Sequence, residues 1–202
     1  MKIGILAYHG DVIEHFETTK KALKNLNLKA EVIFVRTKED IQNLDAIIIP
    51  GGESTVLFKL SIREGIFEKI KSIKNIFGTC AGAIMLAKKI HHKTADQKTL
   101  ELMDIEVDRN AYGRQTESFE EDIDSKIGKI HAVFIRAPRI INIGENVNVL
   151  AKNGNEIIAC EQGKPVYAVG SRGKQGKYYL ALCFHPELTT TKFHEYFIKN
   201  LV

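Results

Sequence analysis

Cysteine is scarce in this chain: Cys80, Cys160 and Cys183 are the only three in 202 residues. An odd number at those spacings builds neither a disulfide framework nor a zinc site. Long apolar runs are missing as well. The opening stretch "MKIGILAYHGD" is too briefly apolar for a signal-peptide core, and nothing elsewhere approaches the 18 or more apolar residues of a spanning helix. These absences predict a cytoplasmic protein with reduced thiols. Charge of one sign is not clustered either. The net charge is +4, yet Lys and Arg alternate with acids, as in "REGIFEKIKSIKN". That pattern is a solvated surface and argues against a nucleic-acid partner. Prolines number four, and no repeat, low-complexity segment or Pro/Gly/Ser-rich linker divides the chain. Residues 1–202 are therefore expected to form a single domain.

What is present reads first as strands alternating with helices. "KIGILA" is a buried strand. Val12, Phe16, Thr19, Leu23 and Leu26 follow three or four apart, on one helical face. "EVIFVR" and "DAIIIP" are short β-branched runs, Leu57 to Lys71 looks helical, "KNIF" is a strand, and a helix is expected from Ala81 to Lys89, its closing Lys88-Lys89 suiting the negative end of the helix dipole. This alternation predicts a mostly parallel sheet flanked by helices. The second half is strand-rich, with turn signals at Asn153-Gly154, Gly163 to Pro165 and Arg172-Gly173, so an antiparallel extension of the sheet is expected. A helix with Phe193, Phe197 and Leu201 on one face closes the chain. The fold class is a three-layer α/β domain.

Cys80 has an unusual frame. Gly78-Thr79-Cys80-Ala81-Gly82 carries the spacing of a nucleophile elbow with sulfur in place of oxygen. A sharp strand-to-helix turn leaves little room for Cβ atoms two residues either side, and it lifts the sulfur to a helix N-terminus that favours thiolate. The competing reading is a buried cysteine whose glycines serve helix–sheet packing. For Cys160 and Cys183, inside apolar runs, packing is the expected role.

A thiolate nucleophile needs a base, and the base an orienting group. Of seven histidines, His91 and His92 lie in a polar stretch, and His15 and His194 lie on helices among charged neighbours. All four read as solvated or partly packed. His131 opens a strand with no acid beside it. His9 ends the first strand, where it could line the same crevice. His185 differs, because the apolar "YYLALCF" runs into His185-Pro186-Glu187. Proline holds the preceding residue extended, and residues two apart in an extended chain point the same way. Glu187 is then placed to orient the imidazole.

Acyl chemistry at sulfur also needs two aimed N–H donors for an oxyanion. The backbone N–H of Ala81 comes with the elbow. Gly52, in "IIIPGGES", is the candidate for the second, since glycine reaches backbone angles that other residues avoid. A plain turn into a helix capped by Ser54 is the alternative.

Gly-Gly after a strand, G-x-C-x-G and a distal His-x-Glu resemble, in order and over almost the whole chain, the triad (class I) glutamine amidotransferases. Many of those carry Gln two residues after the second elbow glycine, where this chain has Ile84. The blocks "GTCAGAI", "PGGEST", "RNAYGRQTESFE", "VFIRAP" and "FHPEL" together look like the glutaminases of two-part pyridoxal 5′-phosphate synthases. "LAYHGDVIEH" departs from that family's usual start at Tyr8-His9. The resemblance implies a flavodoxin-like fold and hydrolysis of L-glutamine through a Cys80 thioester, with His185 moving protons and Glu187 orienting it. It implies glutamine contacts at Gly52, Glu53, Ser54, Arg109, Ile135 and Arg136. A guanidinium fork suits glutamine's α-carboxylate; without the resemblance, both arginines read as surface or salt-bridge residues. No cofactor or metal is implied. The implied partner is a (β/α)8-barrel synthase subunit, assembled as a dodecamer and binding one glutaminase per barrel. Three other readings stay open: a glutaminase for another synthase, a cysteine hydrolase on the same elbow fold, and a non-catalytic flavodoxin-like binding module.

Overall fold

The computed structural model of the chain describes residues 1–109, 118–163 and 176–202. Its parallel half is built from β1 (Lys2–Leu6), β2 (Glu31–Val35), β3 (Ala46–Ile49) and β4 (Asn75–Thr79), with β12 (Tyr178–Leu182) returning from the far end of the chain. These five run side by side in the order β2-β1-β3-β4-β12, every neighbouring pair parallel. β3, β4 and β12 are buried at every residue. Strands covered on both faces need continuous rather than alternating apolarity, which is what "AIII" and "YYLAL" supply.

The helices are α1 (Val12–Asn25), α2 (Ser54–Arg63), α3 (Phe67–Ile70), α4 (Ala81–Leu86) and α5 (Lys192–Lys199). Successive strand residues point to opposite faces, and Phe77 and Gly78 in β4 show which helices lie where. The Phe77 ring meets His15 of α1 and the His194 and Phe197 rings of α5. Gly78 lies directly under Gly82 of α4. One face of the sheet is thus covered by α1 and α5, the other by α4 with α2 beside it, and the three layers expected from the sequence are present.

The second half contributes β5 (Ala87–His91), β6 (Met103–Asp108), β7 (Phe119–Ser125), β8 (Gly128–Phe134), β9 (Arg139–Ile143), β10 (Val147–Asn153) and β11 (Glu156–Gly163). β11 pairs antiparallel with β12, β10 with β11, and β7 with β8, so the antiparallel extension is there. The hairpin expected at Asn153-Gly154 joins β10 to β11 with Gly154 at φ +56°. The turn at 172–173, residues 164 and 165 of the preceding turn, and residues 110–117 of the "RNAYGRQTESFE" block lie outside the described residues.

Three local expectations need correction. The helix after the elbow ends at Leu86 rather than Lys89, because Ala87 turns extended and Ala87–His91 pairs with β6. Lys88 and Lys89 therefore face Asp104 and Glu106 across a strand pair instead of closing a helix dipole. The segment 57–71 is two helices, split where Gly65 takes φ +66°. The third concerns histidines: His15 and His194 are fully buried. The inward face of α1 is His15, Thr19, Ala22 and Leu23, turned from the stripe read in the sequence.

Candidate active site

Parallel register levels the strand ends: Ile49 sits opposite Gly78, and Leu182 opposite Thr79. The loops after β3, β4 and β12 leave the sheet at one rim, joined by the loop after β1, in the crevice where open α/β sheets bind ligands. That geometry gathers segments distant in sequence.

Cys80 occupies the turn itself, at φ +48° and ψ −104°, outside the regions favoured by L residues. Such a backbone costs on the order of 1–3 kcal/mol and persists only where its surroundings hold it. Here Cys80 N–H donates to Leu182 O at 2.8 Å. Both flanking glycines are required by space, since a Cβ at Gly78 would come within 2.5 Å of the Gly82 backbone and one at Gly82 within 2.1 Å of the Ile49 carbonyl oxygen. Sγ lies 3.9 Å from the Ile135 carbonyl oxygen, so the 135–136 segment passes beside the sulfur, with Arg136 exposed at φ +44°. α4 is six residues long, a weaker dipole than the sequence suggested.

His185 follows β12 and is 2% exposed. Its Nδ1 is 2.8 Å from Glu187 Oε1. The two side chains meet as expected, but not through an extended chain: Pro186–Leu188 is a 3-10 turn that proline starts and that folds Glu187 back under the ring. A second carboxylate, Asp11 Oδ2, lies 2.9 Å from the same Nδ1. Asp11 precedes α1 yet does not cap it; its side chain serves the imidazole instead. Asp11, His185 and Glu187 place ligand-type atoms within 4.8 Å of one another, but both carboxylates sit at hydrogen-bond distance from Nδ1, where a proton fits and an ion does not.

Burial alone would lower the imidazole's proton affinity, but Asp11, the neighbouring sulfur and Glu187 reverse this and hold the His185 pKa well above its ordinary value. Nε2 is buried and has no hydrogen-bond partner among the described residues; the Cys80 sulfur is one of the groups that act on the ring. Glu187, also buried, is disfavoured as an anion by desolvation, yet His15 and His185 keep its carboxyl well below the usual range.

The glycine pair after β3 divides its tasks. Gly51 packs against both His185 and Cys80: a Cβ there would lie 2.4 Å from His185 Cε1 and 3.3 Å from Cys80 Cβ. Gly52, at φ +107°, lies against His9, whose Nδ1 accepts from Glu53 N–H at 3.4 Å. The cap of α2 is Glu53 rather than Ser54. Its carboxylate accepts from Thr55 N–H at 3.1 Å, from Val56 N–H at 2.9 Å and from the Thr55 hydroxyl. Desolvation opposes that charge, but these bonds and Arg109 keep its pKa lowered. Arg109 donates to Glu53 Oε1 and to Gln97 Oε1, both at 2.9 Å, and Gln97 Nε2 donates to Ser54 Oγ at 2.9 Å. Glu53, Ser54 and Arg109 thus form one frame at the crevice wall, bridged by a glutamine that no sequence pattern marked. Asp11 went unread because an acid before a helix looks like a cap. His15 went unread because its sequence neighbours are polar.

An open α/β sheet with a thiol elbow beside an imidazole–carboxylate pair matches the glutamine amidotransferase class that the sequence resembles. One solved glutamine amidotransferase matches this structure with a TM-score of 0.79 and 42% identity, covering 98% of each chain. The profile of the SNO glutamine amidotransferase family matches residues 5–202, and the chain belongs to that family. Its relatives include the pyridoxal 5′-phosphate synthase subunits PdxT of Methanocaldococcus jannaschii, 45% identical over 100% of this chain and 99% of that protein. The subunit of the same name from Thermococcus kodakarensis is 41% identical over the full length of both.

Proposed function

We propose that the chain hydrolyses L-glutamine to L-glutamate and ammonia and delivers the ammonia to a synthase subunit that makes pyridoxal 5′-phosphate. The observation that carries this is the sulfur of a strained elbow set beside an imidazole held by Glu187. Cys80 thiolate attacks the side-chain amide carbon of glutamine, and the N–H groups of Ala81 and Gly52 receive the oxyanion. The His185 imidazolium protonates the departing nitrogen, leaving a γ-glutamyl thioester. Neutral His185 then takes a proton from water, which attacks the thioester and restores the thiolate. Glu187 orients the ring throughout. Glu53, Ser54, Ile135 and Arg136 line the substrate side with Gly52, and Arg109 braces it through Glu53.

Free ammonia is mostly protonated at neutral pH and is lost to bulk water, so such a chemistry gains from docking against the consumer. The partner in this reading is a (β/α)8-barrel synthase, dodecameric, with one glutaminase per barrel. The protein works in the cytoplasm, which its three unpaired thiols support. Residues 1–202 act as one domain, supported by a sheet that includes strands from both halves.

The test is ammonia release from L-glutamine, with and without the synthase subunit. Turnover should rise on adding it, and Cys80→Ala should abolish turnover while the protein stays folded. Retained turnover in Cys80→Ala, or a rate indifferent to the synthase, refutes the nucleophile or the partner respectively.

A further inference from the structure

Behind Glu187 lies a layer that this mechanism leaves unused. Oε1 serves His185, while Oε2 faces inward, 3.3 Å from His15 Nε2 but without a hydrogen bond among the described residues, with both side chains fully buried. The same Nε2 is 2.9 Å from the hydroxyl oxygen of Thr79, the residue before Cys80. On the other side of the ring, His15 Nδ1 is 2.9 Å from Nε2 of the equally buried His194. Two helices, α1 and α5, thus place imidazoles in line behind the carboxylate, in a seam otherwise filled by Phe77, Phe193 and Phe197.

The tautomers resolve in one direction. His194 Nδ1 has no partner among the described residues, and a buried orphan N–H is rarer than a buried orphan lone pair. Its proton therefore sits on Nε2 and is donated to His15 Nδ1. Accepting there, His15 carries its own proton on Nε2, aimed at Thr79 and Glu187. Burial above all lowers the His194 pKa to about 3, which keeps that ring neutral.

We propose that His15 is a positioning residue: its Nε2–H, bonded to Thr79, sits 3.3 Å from the second oxygen of Glu187 and steadies that carboxylate from the α1 side, and His194 sets the tautomer that makes this possible. The proposal rests on Glu187 orienting His185. Glu187 is faced by His185 and Asp11 at the crevice, by His15 from α1 and Thr79 from β4, with His194 of α5 behind. Thr18 Oγ1 donates to its backbone carbonyl at 3.1 Å, fixing the main chain as well.

The experiment compares His15→Leu, His15→Gln and wild type in the complete complex with its synthase, reading kcat and KM for L-glutamine from pH 5 to 9, beside the thermal midpoint. A glutamine side chain places an amide N–H where Nε2–H was; leucine fills the space without it. His15→Leu should lower kcat on the order of 10- to 100-fold with KM within about twofold. It should also shift the pH profile of kcat by about half a unit or more, because Glu187 supports the His185 imidazolium less firmly without that contact. His15→Gln should recover most of both. Equal losses in the two variants that follow only the thermal midpoint, or an unmoved pH profile in His15→Leu, overturn the proposal. If His15→Leu does not fold, His194→Phe reads the same device, and an unmoved pH profile there overturns it equally. A Cys80→Ala control that still turns over would instead bring down the underlying triad reading.

Discussion

Replacing Glu187 with glutamine tests the site at its most crowded atom. His185 Nδ1 has two carboxylate neighbours, Glu187 Oε1 at 2.8 Å and Asp11 Oδ2 at 2.9 Å. A hydrogen bond to a charged group is worth about 1.5–3 kcal/mol, and about 1.4 kcal/mol is a factor of ten in rate. In Glu187→Gln the ring can still donate Nδ1–H to Asp11, so the productive tautomer survives. The loss in kcat should be roughly tenfold, the low end of that range. Asp11 is partly exposed, which weakens its hold, so Asp11→Asn alone should cost less. Together they leave Nδ1–H facing two neutral amides, either of which can donate instead and flip the tautomer. The double variant should therefore fall well over 100-fold, more than the product of the singles. Stopped assays of ammonia release at fixed pH give the numbers, with His185→Ala as the floor. If Glu187→Gln alone reaches that floor, or the double variant is simply multiplicative, Asp11 is not a second acceptor and the shared Nδ1–H is wrong.

Two further outcomes check the frame around that atom. Gly82→Ala would set a Cβ 2.1 Å from the Ile49 carbonyl oxygen, a backbone group that cannot swing aside. It should lower stability in urea by about 1–3 kcal/mol and, by displacing the elbow, reduce kcat by about 100-fold; unchanged values in both measurements contradict the packing described. Acid should also act through His194. Its folded pKa is depressed to about 3, below the unfolded value of about 6.5, so the unfolded chain binds the extra proton between these values. Stability contributed by the neutral ring is whole above the upper limit and is lost as pH falls. From pH 7 to 5 the cost is about 2 kcal/mol. Thermal melts of wild type and His194→Phe should converge at acid pH relative to pH 7, and parallel pH dependences would exclude this role.

Much of the fold was legible because its physics is local. Apolar runs such as "AIII" and "YYLAL" can lie only where a sheet is covered on both faces, and "NG" made the β10–β11 hairpin readable. β6 was legible too, and missed: its alternating burial over "MDIEVD" is a plain period of two. Lys88-Lys89 misled because two lysines after an Ala-rich run suit either a helix end or an exposed strand, and only pairing with β6 decides. His131 reads as partnerless along the chain, yet Asp122 and Glu120 reach it from the neighbouring strand β7.

By itself the sequence determined which atoms could do chemistry: the elbow spacing around Cys80 and the His185-Pro186-Glu187 run are set by steric rules within a few residues. Tertiary structure alone decided what surrounds those atoms. Asp11, His15, Gln97 and His194 enter the site from three segments, the start of α1, the loop after β5 and α5, whose local sequence suggests a cap, two solvated or partly packed histidines and a polar loop. Their roles arise because parallel register levels the strand ends and because α1 and α5 pack on the same face of the sheet. Hydrogen bonding across such distances is fixed by where backbones converge, and a chain read residue by residue contains no record of that.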